Sequence, residues 1–97
     1  MSRPRLLAVN FRDPQHPEAG GAELHLEEIL LEAVRRGWDV TWLATRFRGG
    51  TTEAEYRGMH IVRRGDWYDF NLILPGVLAR EFSNPAPDLV VEDINKV

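Results

Sequence analysis

Residues 11–23, FRDPQHPEAGGAE, constrain this chain more than any other stretch. They lie between a short apolar run, Leu6-Leu7-Ala8-Val9, and a segment with helical periodicity. The order is strand, Pro-rich loop, Gly-Gly, acidic helix start. That layout puts flexible backbone at the positive end of a helix and at the carboxyl edge of a sheet. α/β proteins bind phosphates and sugars at that edge.

The periodicities along the rest of the chain agree with this opening. Residues 6–9 read as a buried parallel strand. Residues 10–19 read as loop, with Pro14 and Pro17 preventing helix. A helix is predicted over 22–36, opened by Gly20 and Gly21 and ended by Gly37 at the C′ position. Its apolar residues Leu26, Ile29, Leu30, Ala33 and Val34 recur at three and four residues and are expected on one buried face. Glu23, Glu27 and Glu28 early and Arg35 and Arg36 late suit the helix dipole. Residues 39–44 form the second strand, rich in β-branched and aromatic side chains. Strand, helix and strand with short links make a right-handed unit with parallel strands. Residues 45–58 read as a polar loop, 59–63 as a third strand and 89–92 as a fourth. Between the last two strands, residues 67–71 lead into a helix ending near Phe82. Pro75 either kinks that helix or starts it. The expected architecture is therefore α/β: a Rossmann-like parallel sheet of four strands with flanking helices.

Composition narrows the function. The chain has 97 residues, room for at most one small domain. A net charge of −3 gives no basic footprint for nucleic acid. With no cysteine, disulfides and Cys-based zinc sites are excluded, and a cytosolic location is expected. The apolar core of the N-terminus is too short for a signal peptide. No apolar run approaches the ~18–20 residues needed to span a bilayer.

Several groups of residues fit chemistry as well as plain structure. Gly20 and Gly21 allow backbone N–H groups to approach an anion, or simply turn the chain into the helix. Neither G-x-G-x-x-G nor Gly-Lys-Ser/Thr is present, so the dinucleotide fingerprint and the P-loop are both absent. Asp13, His16, Glu18, Glu23 and His25 combine acid and imidazole, but without the spacing of a metal site. They read mainly as solvated charges, with His16 also a candidate for ligand contact. Arg46, Arg48, Arg63 and Arg64 follow strands and read as solvated surface arginines or phosphate forks. Glu92, Asp93 and Asn95 end the last strand, where they suit sugar hydroxyls, a base or an acidic turn. The cluster Trp67, Tyr68, Phe70, Leu72, Ile73 and Leu74 fits helix-to-sheet packing, an apolar acceptor cleft or a membrane surface.

Three stretches carry a family resemblance: LLAVNFRDPQHPEAGGAELHLEEI at 6–29, RRGWDVTWLATRF at 35–47 and PDLVVEDINKV at 87–97. Together they resemble the start of a retaining glycosyltransferase of the GT-B type, family 4. PEAGGAE followed by an amphipathic helix is a recurrent opening there. The resemblance implies that residues 1–97 are a single partial domain, the first half of a GT-B N-terminal domain. It implies that Gly20, Gly21, Ala22 and Glu23 approach the diphosphate and sugar of a nucleotide-sugar donor. His16, Glu92, Asp93 and Asn95 would lie on the acceptor side. Transfer would proceed with retention and without a metal or other cofactor, the cleft stabilising the leaving diphosphate. The family's paired glutamates, eight positions apart, have no counterpart in this sequence, so the chain is expected to be inactive alone.

The expected partners are then a nucleotide-sugar donor and a sugar, lipid or other small-molecule acceptor. Peripheral membrane contact and a dimer through open sheet edges belong to the same set of expectations. The competing reading is a stand-alone α/β module that binds a ligand or protein and oligomerises. A flavodoxin-like or receiver-type regulator fits less well, because Asn10 and Asp13 are a poor substitute for a receiver's clustered acids.

Overall fold

Strands buried on both sides need cover on both faces, and this chain supplies one helix to each. In the computed structural model, which describes residues 3–92, the order is β1 (Arg5–Val9), α1 (Gly21–Arg35), β2 (Asp39–Ala44), β3 (Glu53–Tyr56), β4 (Met59–Arg63), α2 (Phe70–Glu81) and β5 (Leu89–Glu92). They form a five-stranded sheet in the order β3-β4-β2-β1-β5. β1 pairs in parallel with β2 and β5, and β2 with β4. The fold is α/β and Rossmann-like, as the periodicities predict.

Side-chain alternation divides the core in two. Leu6, Ala8, Val40, Trp42, Met59 and Ile61 face α1, where they meet Leu26 and Leu30. Leu7, Val9 and Leu43 face the other way and meet Phe70, Leu74 and Val77 of α2. The connection β1 to β2 runs one way along the sheet and β4 to β5 runs the other. Right-handed crossovers therefore put their helices on opposite faces. α2 begins at Phe70 and carries Pro75 within it, so the helix does not wait for the proline.

Two expectations are corrected. Residues 53–56, read as loop, form β3, antiparallel to β4, so the sheet has five strands and is mixed. The signal was the alternation Glu53-Ala54-Glu55-Tyr56, which buries one side only. The turn that joins it to β4 is Arg57-Gly58, both at positive φ (51° and 86°), as a two-residue hairpin requires. The second correction concerns α1. Ile29 is 53% exposed, and the buried stripe instead includes Glu23 and Glu27 beside Leu26 and Leu30. Ile29 lies roughly 100° from the middle of that stripe at 3.6 residues per turn.

Both inward glutamates have polar partners. Glu27 accepts a hydrogen bond from the Tyr56 hydroxyl at 3.0 Å and pairs with Arg57 at 2.7 Å, tying α1 to the hairpin. Burial, then that carboxylate, hold the Tyr56 hydroxyl above its ordinary pKa.

Leu30→Ala is expected to cost about 2–5 kcal/mol, as large-to-small core changes do. Ile29→Ala is expected to cost less than about 1 kcal/mol, as at exposed positions. Chemical denaturation of both variants checks the placement of the helix stripe.

Candidate functional site

The direction of the connections reverses at β1. One crossover leaves it toward β2, and the other arrives beside it at β5. The crevice outside the carboxyl ends of β1 and β5 is therefore the topological switch point, where α/β sheets bind ligands. Val9 and Glu92 are register partners there. Residues 10–20 run from the end of β1 to the start of α1 and form one wall.

That wall is fastened residue by residue. The Asn10 N–H donates to the Leu43 carbonyl at 3.1 Å, and the Phe11 carbonyl accepts from the Thr45 N–H at 3.0 Å and its hydroxyl at 2.6 Å. The Phe11 ring packs tilted against Trp67 and Phe70, with centroids 4.8 and 5.1 Å away. Asp13 is fully buried and forms a forked ion pair with the buried Arg63, at 2.7 and 3.2 Å. Arg63 also donates to Gln15 Oε1 at 2.7 Å and to the Thr51 carbonyl at 3.0 Å, and it lies 4.5 Å over the Phe47 ring. The solvated reading of Asp13 and Arg63 is thus corrected. Met59, Ile61 and Arg63 alternate inward along β4, so Arg63 had to face the core unless the strand ended first. Arg64, its neighbour, is partly exposed and pairs with Glu81 and Glu53, closer to the surface reading.

Gly20 caps α1 in extended backbone (φ −128°), and its N–H donates to Glu23 Oε1 at 2.9 Å. Glu23 thereby closes the first turn with its own carboxylate, the reach-back half of a capping box. A Cβ added at Gly20 or Gly21 would meet nothing within 4 Å among the described residues. Gly50 differs, since its Cβ would fall 2.6 Å from the Phe47 ring. Gly20 and Gly21 have neither a positive φ nor a close neighbour, and glycine at position 20 also suits the N-cap. Ala22 and Glu23 complete the first turn, and Ala22 is exposed.

His16 sits further out on the same loop. Its Nδ1 accepts the Glu18 N–H at 3.0 Å, which leaves Nε2–H as its donor. Burial, then the Arg12 guanidinium, lower its pKa from the ordinary 6.5, with Asp13, Glu18 and Glu23 offsetting part of this. The ring meets Phe47 edge-on, with centroids 5.1 Å apart. Arg12, His16, Glu18, Trp67 and Tyr68 line a cleft of 330 Å³. A second hollow of 320 Å³ lies at the ends of β2 and β4, with Arg46, Phe47 and Arg48 among its residues.

The sequence-predicted residues therefore fall into three places. Gly20, Gly21, Ala22 and Glu23 make up the start of α1, and His16 lies in the cleft. Glu92 ends β5 and is exposed. Asp93 and Asn95 lie outside the described residues. Sequence reasoning did not join Arg12 to Trp67, because fifty-odd residues separate them and only the sheet brings their loops together. Among the described residues, no group of three or more His, Asp or Glu is placed to hold a metal ion. No helix among them is long and apolar enough to cross a membrane.

The fold is that of a Rossmann-like α/β chain with a switch-point crevice at the carboxyl ends of β1 and β5. Comparison with protein-family models, curated proteins and solved structures returns no significant match.

Asp13→Ala strands a buried guanidinium and is expected to cost about 3–5 kcal/mol. Chemical denaturation checks it, and hydrogen exchange across residues 11–19 should quicken. His16 gives a pH dependence. Its folded pKa lies below 6.5, so the unfolded chain takes up the proton first as pH falls. Its contribution to stability is complete above the unfolded pKa and is lost as pH falls through the folded value. Denaturation from pH 7.5 to 5 should show a loss that His16→Asn reduces.

Proposed function

We propose that this chain is the N-terminal part of a retaining, nucleotide-sugar-dependent glycosyltransferase of the GT-B type, family 4. The observation that carries the reading is the pair Gly20 and Gly21 at the switch-point end of α1. Neither has a positive φ or a close neighbour, so the space beside the helix start is open to close approach of a ligand. The resemblance of residues 6–29 to the family's opening supports the same assignment. On this reading the first turn of α1, residues 20–23, faces the diphosphate and sugar of the donor. Its N–H groups and the helix dipole favour the charge that develops on the leaving diphosphate. The Glu23 carboxylate already holds the Gly20 N–H, so a diphosphate competes with it for that donor. On the same reading His16 and Glu92 face the acceptor. A second domain grips the nucleotide, so the chain alone binds weakly and transfers nothing. A cytosolic location fits this chemistry and the lack of cysteine, with any membrane contact peripheral.

The test is a titration of the chain with UDP-, GDP- and ADP-sugars, read by amide NMR shifts. Shifts centred on residues 20–23 are expected. Gly21→Ala should fold as well as the parent, or be more stable by about 0.4–1 kcal/mol. Gly20→Ala, at the N-cap, should stay folded at a cost of about 1 kcal/mol or less. Both should lose those shifts. A folded chain with no response at residues 20–23 would count against the half-site, and sugar transfer by the chain alone would overturn the partial-enzyme reading. The alternative, a self-associating binding module, draws on Leu89 and Val90, 45% and 44% exposed on edge strand β5. A monodisperse dimer in light scattering, indifferent to nucleotide sugars, would favour it.

A further inference from the structure

We infer that the cleft lined by Arg12, His16, Glu18, Trp67 and Tyr68 is a binding subsite for a neutral, multiply hydroxylated ring, that is, a carbohydrate. As the acceptor subsite of a transferase it rests on the function proposed above. As a carbohydrate site it rests on the residues alone.

Size comes first. At 330 Å³ the cleft lies at the small end of ligand sites, which run from about 300 to 1,000 Å³. It suits a single ring rather than a whole nucleotide sugar. Its walls are aromatic. Trp67 is held between Phe11 and the Arg12 guanidinium, which lies 4.7 Å from its ring. Tyr68 is 86% exposed, a rigid amphipathic surface at the rim. The C–H face of a sugar ring is apolar and matches such walls.

Its polar groups match the hydroxyls. A hydroxyl both donates and accepts, so a site for adjacent hydroxyls needs donors and acceptors side by side. His16 offers Nε2–H, because Nδ1 is occupied by the Glu18 N–H. Arg12 offers a fork of donors, and its Nε is buried with no hydrogen-bond partner among the described residues. The Glu18 carboxylate accepts, and its own contact with Arg12 is long, at 3.4 Å. A ligand oxygen can therefore share either group without breaking a strong bond.

Charge chooses between ligand classes. Arg12 and Glu18 cancel, and His16 is neutral at pH 7. An anion gains little from such a balanced set, whereas a neutral polyol meets all of its members. The wall is also prepared in advance. The buried Asp13–Arg63 pair fastens the loop that carries Arg12, His16 and Glu18, so binding need not order it.

The test titrates the purified 97-residue chain with methyl glucoside, methyl mannoside and methyl galactoside, and separately with inorganic phosphate. The signals read are the Trp67 indole N–H and the amides of residues 12, 16, 18 and 68. At least one glycoside should give saturating shifts. Tyr68→Ala, with its fold checked by the amide spectrum, should weaken binding about five- to tenfold, the effect of one lost aromatic contact. Tyr68→Phe should keep it. No saturable shift with any of the three glycosides would overturn the proposal. So would shifts indifferent to Tyr68→Ala, or a stronger response to phosphate. Nucleotide sugars are read at residues 20–23, so the two sites fail separately. Glycoside shifts without a nucleotide response would leave the carbohydrate site standing and count against the half-site at residues 20–23.

Discussion

The buried pair of Asp13 and Arg63 holds together the end of the molecule where ligands would meet it. Fifty residues apart in sequence, they join the loop after β1 to the end of β4, and Gln15, Thr51 and Phe47 gather round the same guanidinium. Removing an arginine from water costs several kcal/mol, which only a forked, fully satisfied geometry offsets. The pair is thus weak evidence of added stability. Its physical consequence is specificity of placement: once the arginine is buried, other arrangements of the loop leave a charge stranded. The exposed pairs of Glu32 with Arg35 and Arg36 carry no comparable constraint, because solvent screens them.

Polar side chains turned inward recur through the fold. Glu23 faces the start of its own helix and Glu27 faces the hairpin, both on the stripe that an apolar pattern alone would give to Ile29. In each case a hydrogen bond from the backbone or from Tyr56 and Arg57 satisfies the carboxylate. These polar contacts lie on the same face of the helix as Leu26 and Leu30. The Arg57-Gly58 turn works with them, since its positive φ values aim the hairpin so that Arg57 reaches Glu27.

At the carboxyl edge two kinds of surface stand side by side. The start of α1 offers backbone N–H groups and bare glycines, a chemistry for anions. The cleft beside it offers aromatic walls and a charge-balanced set of donors and acceptors, a chemistry for neutral hydroxyls. The transfer proposed above, in which a sugar leaves its diphosphate for an acceptor hydroxyl, needs both within reach of each other. The loops that follow β1 and β4 meet through Phe11, Arg12 and Trp67, and that contact sets the two surfaces on one edge of the sheet.

Much of this fold is legible in the sequence, for reasons that are local. Apolar runs at 6–9, 39–44 and 59–63, the three-and-four spacing after Gly21, and Gly37 at the helix end each act within a few residues. They determine β1, β2, β4, the extent of α1 and the parallel pairing of β1 with β2 without reference to the rest of the chain. The same is true of the glycines at 20 and 21, visible at once as an unusual helix start. Tertiary structure decided what depends on distant partners. β3 was hidden because its short, half-charged pattern is stable only when paired with β4. Asp13 and Arg63 looked solvated because neither residue type reveals a partner fifty positions away. The cleft of Arg12, His16 and Trp67 exists only where two crossover connections meet over one sheet, since side chains that far apart in sequence are brought together by packing alone.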